Sequence, residues 1–233
     1  MTANEVGGLE AAAALDAEAM DTIDLHEREA AMSLPAMEHP GSISFEDFLA
    51  TLDEDTHAEW VDGQVVPMSP VSERHDAVSG FIYAVLRGFL RRRKIGGRVF
   101  HGEFQMKLGP GMSSRVPDVA YVAPEHISRI QGTFLNGPAD LAVEVVSPES
   151  RARDRIEKLR EYERAGVRDY WLLDPVLRTA EAYRLSAGAY EPVEPGSPAR
   201  LTCEAIPGFW IEVAWLWLAE PDEWMAYEAW GLI

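Results

Sequence analysis

Glu144 stands inside an otherwise apolar run, Leu141-Ala142-Val143-Glu144-Val145-Val146. Side chains alternate along a strand, so Glu144 shares a face with Ala142 and Val146. Burying a carboxylate there without a partner is costly, so the position calls for a cation, a proton or a metal. Upstream, Pro117-Asp118 opens a second apolar strand, Val119-Ala120-Tyr121-Val122. Two carboxylates from adjacent strand ends suit a hard divalent cation such as Mg2+, which keeps several waters and takes one or two carboxylates from the protein. Pro-Asp is also a common strand opening, and that plainer reading of Asp118 stands beside the metal reading.

A third candidate is Lys158, on a helix expected over about residues 152–164. Ile156, Leu159 and Tyr162 supply the inward face of that helix and Lys158 its flank. From a flank, the long stem can carry the ammonium over the strand ends. The same lysine can equally lie in solvent, paired with Asp154 four residues back, a pairing worth a few tenths of a kcal/mol.

The elements that must position these groups can be read in order. Ser44, three residues before Asp47, marks a helix start, with Phe45, Phe48 and Leu49 as its apolar face. Asp62-Gly63 is a hairpin turn between two short extended runs. Val78, Phe81, Ile82, Val85, Leu86, Phe89 and Leu90 recur at helical steps and predict a long helix from Ser72 to about Lys94. The runs RVFHGEFQMKL, PDVAYV, DLAVEVV, DYWLLD, TAEAYRL and AYEPV follow as strands, divided by Gly, Pro and Ser turns. The order of elements indicates α/β or α+β around one mixed central sheet flanked by helices.

Composition narrows the setting. The chain has 233 residues, a formal net charge of −18 and one cysteine, Cys203. One cysteine excludes an intrachain disulfide and a multi-cysteine zinc site, and it suits a reducing, cytoplasmic location. The six histidines are scattered, so a metal hydrolase built on His75 and His101 lacks ligand spacing. No apolar run approaches the roughly 20 residues needed to span a bilayer, and no membrane partner is expected. The acidity is uneven. Residues 1–43 hold nine acids and one base, residues 210–233 hold five acids and no Lys or Arg, and the middle carries only −5. Total charge therefore weakens a polyanionic partner without excluding one.

Three segments are expected: an acidic, Ala-rich, flexible arm over 1–43, a main domain over 44–218, and a Trp-rich acidic tail over 219–233. Deleting residues 1–40 is expected to leave thermal stability nearly unchanged, because the arm has few large apolar residues. Five of the seven tryptophans fall within residues 208–233. Such a terminus serves core packing or an oligomer contact, and a homodimer through the aromatic-rich or arm segments is expected.

The stretches AEWVDGQVVPMSPVSERH, PDVAYV and DLAVEVVSPESRARDRIEKLREYERAGVRDYWLLDP resemble the Uma family of restriction-endonuclease-like proteins, within the PD-(D/E)XK nuclease superfamily. The resemblance covers about residues 44–217. It implies a restriction-endonuclease-like fold and a Mg2+-dependent DNA endonuclease, with Mn2+ as a substitute ion. By this resemblance Asp118 and Glu144 are the metal-holding acids, and Lys158 joins them as a catalytic residue. The superfamily's E-x-K lysine would fall at position 146, which is Val146, so the resemblance implies that the lysine has moved to Lys158. It further marks Glu59 and His75 as supporting residues, against the plainer readings of a surface glutamate and a helix-start histidine.

Cations near such a site would bind phosphates. Arg91, Arg92, Arg93 and Lys94 end the long helix, and Arg151 and Arg153 begin the later one. Helix-end electrostatics explain RRRK equally well. Val146 and the acidic termini support an alternative, a catalytically decayed nuclease fold kept as a binding or assembly module.

Overall fold

The computed structural model describes residues 41–53, 56–147, 150 and 153–233. Residues 1–40 of the expected 1–43 arm, and Arg151, lie outside the described residues. Ser44 caps the first helix, α1 (Phe45–Thr51), by accepting the Asp47 N–H at 3.0 Å. The hairpin β1 (Ala58–Val61) and β2 (Gln64–Pro67) turns on Asp62 at φ 48° and Gly63 at φ 82°. Left-handed values at both turn positions match the twist of the flanking strands.

Helix α2 (Glu73–Arg93) is capped by Ser72, which accepts the His75 N–H, and ends at Lys94 in the left-handed conformation. Then come β3 (Arg98–His101), β4 (Gln105–Lys107), β5 (Ser114–Arg115), β6 (Val119–Val122), a 3-10 turn (Pro124–Arg129), β7 (Ile130–Gln131), β8 (Phe134–Asn136) and β9 (Leu141–Val145). A π-helical turn (Arg153–Lys158) runs directly into α3 (Leu159–Ala165). After it lie β10 (Asp169–Asp174), β11 (Thr179–Ser186), β12 (Ala189–Pro192), β13 (Arg200–Thr202), β14 (Trp210–Glu212), a 3-10 turn (Val213–Trp217) and α4 (Glu223–Ala229).

The class is mixed α/β with helices flanking mixed sheets, but the strands divide between two six-stranded sheets instead of forming one. The central sheet has the order β12-β11-β10-β9-β6-β3 and the second β2-β1-β5-β4-β8-β7, with β13-β14 as a separate ribbon. The run RVFHGEFQMKL is where they part. Gly102, at φ 57°, turns the chain so that β3 pairs with β6 and β4 with β5 and β8. In the central sheet only β9 and β10 are parallel, which requires the π turn and α3 as their crossover.

Alternation of side chains gives the central sheet two apolar faces. Val119, Tyr121, Leu141, Val143, Val145 and Trp171 pack against Val78, Ile82, Val85, Leu86 and Phe89 of α2. On the opposite face Ala120, Val122, Ala142, Val146 and Leu172 pack with Tyr162 of α3. Each large apolar side chain fully buried there contributes roughly 1.5–3 kcal/mol. Residues 223–230 belong to the α2 side of this core: Ala226, Tyr227 and Trp230 are buried in it. A side chain at Gly88 would overlap the Tyr227 ring, so α4 can approach α2 only because that position is glycine. Among the described residues no helix is long and apolar enough to cross a membrane.

The crossover helix differs from the periodicity reading. Ile156 is 52% exposed, and the buried side chains are Asp154, Lys158 and Tyr162. A four-residue step keeps one helical face, so Asp154, Lys158 and Tyr162 turn inward together. Lys158 therefore lies at the centre of the inward face and not on its flank.

Candidate active site

Antiparallel pairing of β6 with β9 sets Val119 opposite Val143. One further step along the same register brings Asp118 beside Glu144. Residues opposite one another in a sheet project to the same side, so the two carboxylates converge at one strand end. A hydrogen bond fixes this end, because Asp118 Oδ2 accepts the Val145 N–H at 2.6 Å. His75, from the first turn of α2, places its Nε2 3.2 Å from the same oxygen. Burial pulls the imidazole's pKa down, but the bond and charge of Asp118 outweigh it and raise the pKa above its ordinary value.

Lys158 reaches the same strand ends from the crossover. Its ammonium lies 2.9 Å from Glu144 Oε2, 3.3 Å from Glu59 Oε1 and 3.5 Å from Asp154 Oδ1. Tyr162, one turn on, donates its hydroxyl to Glu144 Oε1 at 2.6 Å. Burial alone would discharge the lysine, yet the surrounding carboxylates hold its pKa above the usual lysine value, so it stays protonated. Glu144 responds in the opposite sense. Burial pushes its carboxyl up, Lys158 pulls it down, and Asp118, Asp154 and Glu59 push it up again, above the ordinary carboxylate range. One ammonium among four carboxylates leaves a shortage of positive charge.

Glu59 is better compensated. Burial would raise its pKa, but Lys158, Arg115 and the Val116 N–H hold it at about 2. Arg115 Nη1 donates to Glu59 Oε2 at 2.9 Å, and Val116 N–H donates to Oε1 at 3.1 Å. The other edge of the Arg115 guanidinium grips Glu161 of α3, through Nε at 2.6 Å and Nη2 at 2.9 Å. Arg115 is only 1% exposed. It joins β1, β5 and α3 behind the lysine.

These groups line a cleft of about 340 Å³ that includes Glu59, His75, Asp118, Glu144, Asp154 and Lys158. Among the described residues no group of three or more His, Cys, Asp or Glu is arranged to close around a metal ion. The donor set suits an ion that takes few protein ligands. Asp118 has an oxygen, Oδ1, beyond the one engaged by Val145 and His75, and Glu144 lies in the cluster short of positive charge. That chemistry fits Mg2+, which retains waters and needs one or two carboxylates.

Asp118, Glu144, Lys158, Glu59 and His75 are thus brought together. The cations ending α2 are not with them. Arg93 stands roughly 27 Å from His75 along the helix axis, at about 1.5 Å per residue. Arg92 donates to the Leu232 carbonyl and lies over the Tyr227 ring, and Arg93 donates to the Trp230 carbonyl. Arg91 and Lys94 are exposed at the same end. Arg153 lines the cleft, and its buried Nε has no hydrogen-bond partner.

Three residues of the network escape a reading by motif: Tyr162, Arg115 and Glu161. Tyr162 was visible only as an apolar face residue. Arg115 left a weak signal, a lone cation just before the apolar stretch that Val116 opens.

No curated protein matches the chain. A crystal structure described as a putative nuclease belonging to DUF820, from Anabaena variabilis ATCC 29413, is similar with a TM-score of 0.63 and 20% identity, covering 75% of this chain and 97% of that one. At that identity the likeness shows the fold. A family model gives the same direction from sequence: residues 45–214, which contain every member of the Lys158 network, match Uma2, described as "Putative restriction endonuclease", and the chain belongs to that family.

Proposed function

We propose that the protein is a Mg2+-dependent endonuclease that hydrolyses phosphodiester bonds of DNA, with Mn2+ able to replace Mg2+. The observation that carries this reading is the buried Lys158 ammonium, shared by Glu144, Glu59 and Asp154 beside Asp118 in an open cleft. A buried charge cluster of this kind is a poor way to stabilise a fold, since apolar residues of similar volume commonly do as well. Its location in a cleft points to chemistry.

Asp118 and Glu144 would hold the ion, which supplies Lewis acidity toward a phosphodiester oxygen and makes a water more acidic. Lys158 remains protonated, so it cannot act as a general base; it neutralises charge that develops on the phosphoryl oxygens. Its bond to Glu144, with that of Tyr162, fixes the carboxylate's rotamer. His75 holds Asp118 from the other side. Glu59 and Asp154 keep the ammonium charged and aimed.

The test is cleavage of supercoiled, linear and branched DNA with Mg2+, Mn2+ or EDTA, beside Glu144→Gln and Asp118→Asn proteins. Metal-dependent strand cleavage that both substitutions remove is the expected result. Absence of metal binding by calorimetry and of cleavage on every substrate would leave the alternative, a nuclease fold retained as a binding or assembly module.

A further inference from the structure

A second cavity, of about 860 Å³, adjoins the cleft. The two share Met68–Val71, His75, Val116 and Asp118 as a common wall. Its size falls within the roughly 300–1,000 Å³ of small-ligand sites. Leu52, Ala58, Met68, Pro70, Val71 and Val116 give it apolar lining. Polar groups stand at defined points: His101 Nε2 lies 3.2 Å from Ser79 Oγ, and its ring stacks on Tyr83 at 5.1 Å. His75 Nδ1, buried and without a hydrogen-bond partner, belongs to a residue of the shared wall.

The charges around this chamber select against a phosphate chain. Beyond the shared wall Asp53, Asp76 and Glu103 line it, and no Lys or Arg does so among the described residues. The other cations of α2 do not line it either: Arg74 donates to the Leu216 and Leu218 carbonyls, Arg87 to the Tyr83 hydroxyl, and Arg91–Lys94 stand at the helix's far end. A protein that grips duplex DNA does so mainly through Lys and Arg on phosphates. An uncharged, flat heterocycle meets no such penalty and gains from the apolar lining.

We infer that this chamber receives an unpaired nucleobase of the substrate strand, next to the phosphate held at the cleft, so that the enzyme acts on single-stranded or locally unpaired DNA in preference to intact duplex. The inference rests on the nuclease reading for its biological sense, but base capture can be measured without cleavage. A base inserted past Val71 and Val116 would leave its own phosphate at the Asp118 wall. Unpairing is cheapest where the strand is already single or mismatched, so the pocket itself produces the preference.

The experiment measures binding by fluorescence anisotropy with Ca2+ in place of Mg2+. The probes are a labelled single strand, the matched duplex, and a strand of equal length and charge whose central nucleotides are abasic. Binding of the single strand about tenfold tighter than of either competitor is expected, the scale of one base stacked or inserted. Thr133→Trp and Thr56→Trp fill the chamber from its rim, away from the metal-holding residues, and should close that gap while leaving the thermal midpoint in place. Equal binding of the abasic strand, tighter binding of duplex, no binding of any probe, or indifference to both tryptophans would overturn the inference. Base-dependent binding that the tryptophans abolish, without metal-dependent cleavage of any DNA, would retain the pocket and reject the nuclease reading.

Discussion

Lys158 donates to Glu144 across 2.9 Å, although the two are 14 positions apart and stand on different elements. The four-residue spacing sets Asp154, Lys158 and Tyr162 on one helical face, so that Lys158 and Tyr162 each engage a different oxygen of Glu144. The pair is the centre of a network that extends to Glu59 and, through Arg115, to Glu161.

Replacing the ammonium by an apolar side chain of similar volume tests its role directly. Lys158→Met should lower the cleavage rate by about 10²–10³-fold, the usual loss for one preorganised charge stabiliser. Lys158→Arg should fail as well, because a planar fork does not replace a compact ammonium among three carboxylates. Val146→Lys in the Lys158→Met protein should not restore activity, since Val146 is 1% exposed within the apolar cluster around Tyr162. Single-turnover rates with near-ultraviolet circular dichroism as a fold check decide this. Wild-type cleavage by Lys158→Met would remove the lysine from the mechanism.

Glu59 gives a pH signature. Its pKa falls from an ordinary 4.5 to about 2 in the folded protein. A depressed carboxylate contributes stability that is present above its unfolded pKa and lost as pH falls through the folded one. The contribution, about 3 kcal/mol by linkage, should therefore be complete above about pH 5 and fade between 4.5 and 2. Urea midpoints of wild type and Glu59→Gln should differ most at neutral pH and approach each other near pH 3. A gap that stays constant with pH would show that the carboxylate's charge is not what stabilises the fold.

Arg115 bonds Glu59 and Glu161 and does not line the cleft, so on the nuclease reading it would be a positioning residue. Arg115→Lys cannot bond Glu59 and Glu161 together, and kcat should fall by about 10–100-fold with little change in KM. Glu161→Gln keeps one acceptor and should lose less. Steady-state kinetics separate the two effects; a change confined to KM would place Arg115 at the substrate instead.

Trp230 tests the other end of the molecule. It packs its ring against Phe89 and Phe209 and donates Nε1 to the Trp210 carbonyl at 2.9 Å. Trp230→Ala should cost about 3–5 kcal/mol in denaturant unfolding. An unchanged midpoint would show that α4 contributes little to the core.

The class, the long helix and the two acids follow from local pattern alone. A carboxylate within LAVEVV and a Pro-Asp before VAYV are legible because alternation and burial act locally, over a few residues. The Asp62-Gly63 hairpin and the Ser72 cap are local in the same way. The rest depends on packing between distant segments. Periodicity placed Ile156 inward and Lys158 on a flank, because it took the apolar side chains as the buried ones where the crossover buries Asp154 and Lys158. The joining of Arg115 to Glu161, 46 positions apart, follows from α3 packing over β5, which no local pattern encodes. The arginines after Phe89 read equally as phosphate ligands or as helix-end charges, and packing alone shows that Arg92 and Arg93 bond the carbonyls of residues 232 and 230. Composition fixes which groups can bear charge. Which charges share a low-dielectric cleft is set by how the sheets, the crossover and α2 close around it.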